Sequence, residues 1–255
     1  LRQIPADLWI LLIANGFVLG LFFVFALFVY PRRGLSEETK RRPRSLISNA
    51  LFREYWYFLM EPLKKRLVQW GVSPNTITSW GALFSIASAY FFAQGKFGLG
   101  GWLVILSATC DVYDGLLARA QGINRKSGAF YDSLLDRVGE TFIFGGVLWY
   151  FKSDPIWFSI TLVAMTASQL VSYARARAEG LGFSGSGSRG FFQRAERMIV
   201  LSIAFPLSPL FEVTLGWGLE AVQFAILIIA VASAQTAVSR SIGIYREISD
   251  FETKS

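Results

Sequence analysis

Seven stretches of this chain are apolar enough, for long enough, to cross a lipid bilayer as helices, and that feature limits what it can fold into. A crossing takes about 20 apolar residues, because only a helix pairs its own backbone groups inside hydrocarbon. The first run covers residues 8–30, and six more follow at about 75–92, 99–118, 128–151, 156–177, 195–211 and 219–242. The first is too long for a removable leader and lacks a small-residue cleavage site, so it is expected to stay. Composition agrees, since charged residues make up 17% of the 255 against about 25% in soluble domains.

The spacers between the runs are informative. Residues 31–44 form a polar, basic linker. Residues 45–70 mix Leu, Phe, Tyr and Trp with Arg53, Lys64, Lys65 and Arg66. That mixture predicts an amphipathic segment lying on the membrane surface, interrupted at Pro62, rather than a solvated connector. Ser73-Pro74-Asn75 is a good helix start, and residues 180–190 form a loop of glycine and serine. The expected fold class is therefore an all-α integral membrane bundle: six core spans, one extra N-terminal span and a surface helix. Residues 1–44 would form the first span and its linker. Residues 45–255 would form the main domain, with the surface helix at 45–70, spans over 75–242 and a short tail.

The charge of +7 sits in clusters between apolar runs, which suits anionic lipid or phosphorylated substrates better than nucleic acid. With the linker placed in the cytoplasm and sides alternating from there, only Arg2, Lys96 and Lys152 of the 25 basic residues fall outside. The positive-inside rule expects that asymmetry. It puts the N-terminus outside and the C-terminus inside a cell membrane.

One cysteine, Cys110, and no histidine are present. Acid–base chemistry and metal binding must then rest on carboxylates. Asp111 and Asp114 are three apart, Asp132 and Asp136 four apart, so each pair shares a helix face. The helices carrying them are antiparallel neighbours joined by a short loop, which lets the four acids converge at the cytoplasmic end. Such a cluster repels itself unless a cation binds or arginines such as Arg119, Arg125 and Arg137 pair with it. Hard oxygen ligands suit Mg²⁺, Mn²⁺ or Ca²⁺, and a diphosphate substrate would complete the shells of two such ions. Gly115 and Ala118 leave one helix face bare for a flat base or ribose.

These residues carry a resemblance. Asp111-x2-Asp114-Gly115-x2-Ala118-Arg119-x8-Gly128-x3-Asp132-x3-Asp136 resembles, at each fixed position, the signature of the CDP-alcohol phosphatidyltransferase family. The resemblance spans about residues 46–242 and leaves the first span as an addition. It implies a two-metal site at Asp111, Asp114, Asp132 and Asp136, holding Mg²⁺ or Mn²⁺, with Asp136 as the catalytic base. It further implies CDP binding by Asp114, Gly115, Ala118, Arg119 and Gly128, with Asn75 at the nucleotide end. An alcohol would attack the lipid-side phosphorus of CDP-diacylglycerol and release CMP. A homodimer is also implied.

For the acceptor, Ser172-Tyr173-Ala174-Arg175-Ala176-Arg177-Ala178-Glu179 and Arg194-Ala195-Glu196-Arg197 resemble the phosphatidylinositol-phosphate synthase branch. That implies inositol 1-phosphate, its phosphate held by Arg175, Arg197 and Arg240. A phosphorylated polyol needs charge-assisted donors, and arginine supplies a fork. Arginines also flank spans for topology alone, and glycerol 3-phosphate carries a phosphate too. A cation transporter would spread its polar residues through the bundle, whereas these acids gather at one end.

Overall fold

The structure, a computed structural model, describes residues 6–33, 39, 50–123, 125–183 and 192–254. Residues 34–38 and 40–44 of the linker, residues 45–49 of the surface segment, residues 184–190 of the glycine-rich loop and residue 191 lie outside them. Eight helices and no strands occur among the described residues. α1 is Ala6–Val24, continued by a π-helical stretch Phe25–Val29 and a last turn Tyr30–Arg33. α2 is Ala50–Gln69, α3 Pro74–Ala93, α4 Phe97–Ala120 and α5 Lys126–Tyr150. α6 is Pro155–Gly180, α7 Arg194–Leu215 and α8 Gly218–Lys254.

Helix ends follow local chemistry. Extended Ser73 precedes Pro74 at the first turn of α3, where the missing proline N–H costs nothing. Asp154 caps α6 by accepting from the backbone N–H groups of Ile156 and Trp157. The Glu196 carboxylate accepts from the Gln193 backbone N–H at 3.0 Å, fixing the start of α7. Gly122 takes φ 66° in the turn joining α4 to α5, a conformation that other residues enter only at a cost.

Six helices (α1, α3, α4, α6, α7 and α8) are long and apolar enough to cross a membrane by length and composition. α5 falls short because Asp132, Asp136, Arg137 and Glu140 lie within it. It nonetheless packs along α3 inside the bundle. The Tyr150 ring at its end meets Phe97 at the start of α4, centroids 4.8 Å apart, so the antiparallel helices traverse the same depth.

In lipid, close packing rather than the hydrophobic effect joins helices. A Cβ added at Gly146 of α5 would lie 2.3 Å from the Ala89 carbonyl oxygen of α3, so only glycine permits this approach. Beyond it, Phe92, Val104, Phe144, Leu201, Phe205 and Ile226 share one buried cluster drawn from α3, α4, α5, α7 and α8. A second cluster seats α2 on α4, where the Tyr113 hydroxyl donates to the Met60 carbonyl at 3.0 Å. α2 runs unbroken through Pro62, contrary to the interruption expected there. Its packing on α4 and the Glu61–Lys64 ion pair at 2.8 Å span the proline.

The added first span is docked, not loose. Asn15 donates to the Pro206 carbonyl at 2.8 Å, and the Tyr55 hydroxyl of α2 donates to the Val18 carbonyl at 2.9 Å. α8 continues as helix well past residue 242, where a short tail was expected. No proline interrupts residues 243–254, and the Phe251 ring packs against Phe183, centroids 5.5 Å apart.

Candidate active site

α4 and α5 bring all four predicted aspartates to one end of the bundle. Oxygens of Asp111, Asp114 and Asp132 lie within 4.8 Å of one another. The Thr78 hydroxyl of α3 donates to Asp114 Oδ2 at 2.7 Å and orients it. Asp132 Oδ1 is buried without a hydrogen-bond partner, an expensive state for a carboxylate oxygen unless a cation arrives. The donor set is all oxygen and anionic, and it fits a hard divalent metal such as Mg²⁺ or Mn²⁺.

Asp136 stands apart from that trio. Its Oδ2 meets Arg194 Nη1 at 2.7 Å, and the same nitrogen lies 3.2 Å from Asp111 Oδ1. Sequence reasoning quoted Arg194 but gave it no role. It considered Arg119, Arg125 and Arg137 as partners of the acids, whereas among the described residues Arg194 makes their ion pairs. Arg137 instead turns back along α5 to the carbonyl and hydroxyl of Ser133.

The residues predicted to bind CDP, Asp114 aside, make two local contacts on the same helices. Arg119 folds back over Gly115, its Nη1 3.4 Å from where a Cβ would stand. Asn75 Oδ1 lies 3.5 Å from the corresponding point at Gly128. Ala118 is half-buried beside them, while Arg119 and Asn75 are exposed.

The three predicted acceptor arginines form a second group. Arg197 is fully buried, with Nε and Nη2 donating to both oxygens of Glu140 at 2.6 and 3.0 Å. Arg240 is 3% exposed and donates from Nη1 to the Val171 carbonyl at 2.9 Å. Arg175 and Arg197 are the charged neighbours that repel Arg240. Arg175 itself pairs with Glu179 at 2.9 Å on the surface. Nη1 of Arg197 and both Nε and Nη2 of Arg240 have no partner. Glu140 was missed, although it continues the Asp132, Asp136 series by another four residues.

Fold and site together define a polytopic membrane protein with a carboxylate centre for a divalent metal and buried arginines beside it. The chain belongs to the CDP-alcohol phosphatidyltransferase family, whose profile matches residues 71–236, and it is a transferase. It is 32% identical over 207 residues to a phosphatidylinositol phosphate synthase of Streptomyces avermitilis, covering 78% of this chain and 83% of that one. A synthase of the same name from Mycobacteroides abscessus is 34% identical over 200 residues, covering 76% and 87%. Two crystal structures of the Mycobacterium tuberculosis phosphatidylinositol phosphate synthase share 31% identity with this chain. One holds CDP-DAG, with a TM-score of 0.64 and coverage of 72% and 92%. The other holds manganese and citrate, with a TM-score of 0.65 and coverage of 72% and 88%.

Proposed function

We propose that the protein moves the phosphatidyl group of CDP-diacylglycerol onto a hydroxyl of inositol 1-phosphate, giving phosphatidylinositol phosphate and CMP. The observation that carries the acceptor is the set of unpartnered buried nitrogens on Arg197 and Arg240, with Arg175 close by. Buried guanidinium nitrogens without acceptors are costly until an anion joins them, and the guanidinium fork suits phosphate. The relatives' names and the CDP-DAG held by the Mycobacterium tuberculosis structure support the same reading.

Asp111, Asp114, Asp132 and Asp136 would hold two Mg²⁺ ions, with Mn²⁺ as a substitute. Bound there, such ions polarise the phosphorus and stabilise the charge on departing CMP. Gly115, Ala118, Arg119, Gly128 and Asn75 receive the cytidine end. Asp136 takes the proton of the acceptor hydroxyl while that oxygen bonds to the lipid-side phosphorus. The phosphoanhydride bond breaks, and CMP leaves with its electron pair. An aspartate is a weak base at neutral pH, so its power here is positional. Glu140, which holds Arg197, lies four residues or about 6 Å along α5 from Asp136. A phosphate on the arginines would therefore bring a hydroxyl across a six-membered ring within reach of Asp136.

The transferase domain covers residues 45–255 and the first span anchors it. The acidic cleft faces the cytoplasm in this reading, supported by the scarcity of basic residues at the far end of the bundle, where the described turns carry only Lys96 and Lys152. A homodimer completes the proposal. CMP release should be measured with purified enzyme, Mg²⁺, CDP-diacylglycerol and a panel of inositol 1-phosphate, glycerol 3-phosphate, free inositol and serine. Turnover with inositol 1-phosphate alone is expected. Turnover only with free inositol or serine would overturn the phosphate-site argument.

A further inference from the structure

Arg194 sits where a cation is needed. Its Nη1 bridges one oxygen each of Asp111 and Asp136, acids from two different helices. Asp111, Asp114 and Asp132 form the compact trio, and Asp136 is drawn away from them toward the guanidinium. The positions around the four acids are thus unequal. One is framed by three carboxylates and includes the orphaned Asp132 Oδ1. The other, between Asp111 and Asp136, already contains a positive charge.

That charge is firmly placed. Arg194 is the first residue of α7, whose start the Glu196 carboxylate fixes. Three residues on, Arg197 is locked to Glu140 by two hydrogen bonds. The first turn of α7 therefore presses two guanidinium groups against successive turns of α5, at Asp136 and at Glu140. Arg194 Nε is buried and lacks a partner, so its charge is not fully used in the pose it holds.

We propose that Arg194 is a tethered cation that fills the second metal position of the metal-free enzyme. This rests on the two-metal reading above. The trio, of which Arg194 touches only Asp111 and by the longer of its two contacts, binds the first divalent ion with less hindrance. The position at Asp136 accepts a second ion only as Arg194 gives up its bonds to Asp111 and Asp136. Arg194 thereby keeps four carboxyl groups together before any metal is present and sets the order in which the positions fill.

Mn²⁺ titration of the detergent-purified full-length protein without substrate tests this, with free ion followed by electron paramagnetic resonance. Wild type should bind one ion tightly and a second far more weakly. Arg194→Gln removes the competing charge, whose charge-assisted hydrogen bonds are worth enough to tighten the second ion by about ten- to a hundredfold. Arg194→Lys keeps the charge and should follow wild type. Asp136→Asn should lose the weak ion and keep the tight one. Apo Arg194→Gln should also melt earlier than wild type and gain more in melting temperature from Mn²⁺. If it fails to fold without metal, purification and melting in Mn²⁺ retain the second readout. Two equal Mn²⁺ sites in wild type, or isotherms unchanged by Arg194→Gln, overturn the proposal while leaving the two-metal reading standing. Absence of Mn²⁺ binding in every variant overturns both.

Discussion

The Glu140–Arg197 pair makes a sharp test of how this bundle tolerates charge. Both side chains are essentially sealed, at 1% and 0% exposure, and two hydrogen bonds of 2.6 and 3.0 Å join them. Glu140→Gln leaves the guanidinium buried without its counter-ion. Breaking one side of a sealed pair costs about 3–5 kcal/mol, which for a chain of this size lowers the melting temperature by about 6–20 °C. Arg197→Met should cost less, because an abandoned carboxyl can take up a proton whereas a guanidinium keeps its charge. The double variant Glu140→Leu with Arg197→Met removes both charges and should recover most of the loss. Stability is read by thermal unfolding in detergent, and function by CMP release at varied acceptor concentration. Arg197→Met and the double variant should raise the acceptor KM by about ten- to a hundredfold with the CDP-diacylglycerol KM little changed. A double variant as unstable as Glu140→Gln would refute the uncompensated-charge argument. An unchanged acceptor KM would reduce Arg197 to a structural role.

Asp136→Asn should abolish turnover yet retain CDP-lipid binding, measured by equilibrium binding of a labelled donor; wild-type rates would remove Asp136 as the base. Gly146→Leu forces side-chain atoms into the Ala89 backbone and should part α3 from α5, lowering stability by several kcal/mol together with activity. Chelation by EDTA should stop CMP release, and Mg²⁺ or Mn²⁺ should restore it; full activity in EDTA would exclude a metal centre.

The local parts of this molecule were legible in its residues and the cross-bundle partnerships were not. Ser73-Pro74 marks a helix start by its own dihedral preferences, and four aspartates on two short-looped helices must meet. Arg194 could not be given its place, because that depends on where α7 lands, 58 residues beyond Asp136 in the chain. Glu140 had a local signal in the four-residue step from Asp136, but an acid inside an apolar run gains meaning only from its partner, 57 residues away. Pro62 misled for the opposite reason: a local breaker was overridden by packing on α4. The continuation of α8 went unread because the end of an apolar run marks the limit of lipid, and a helix can pass that limit.

The bond from Asn15 to the Pro206 carbonyl joins positions 191 residues apart, and this has a consequence in time. In a chain threaded into the membrane from its N-terminus, α1 arrives well before α7, which holds its carbonyl partner. The Tyr55 hydroxyl, which reaches Val18, is within grasp as soon as α2 has emerged. It can hold α1 beside the growing bundle while the Asn15 amide waits in lipid for α7. The first span is then stitched in twice, early to the surface helix and late to the proline-bearing helix. Severing the 34–49 linker after assembly should leave α1 in place, whereas deleting α7 during synthesis should leave Asn15 seeking another acceptor.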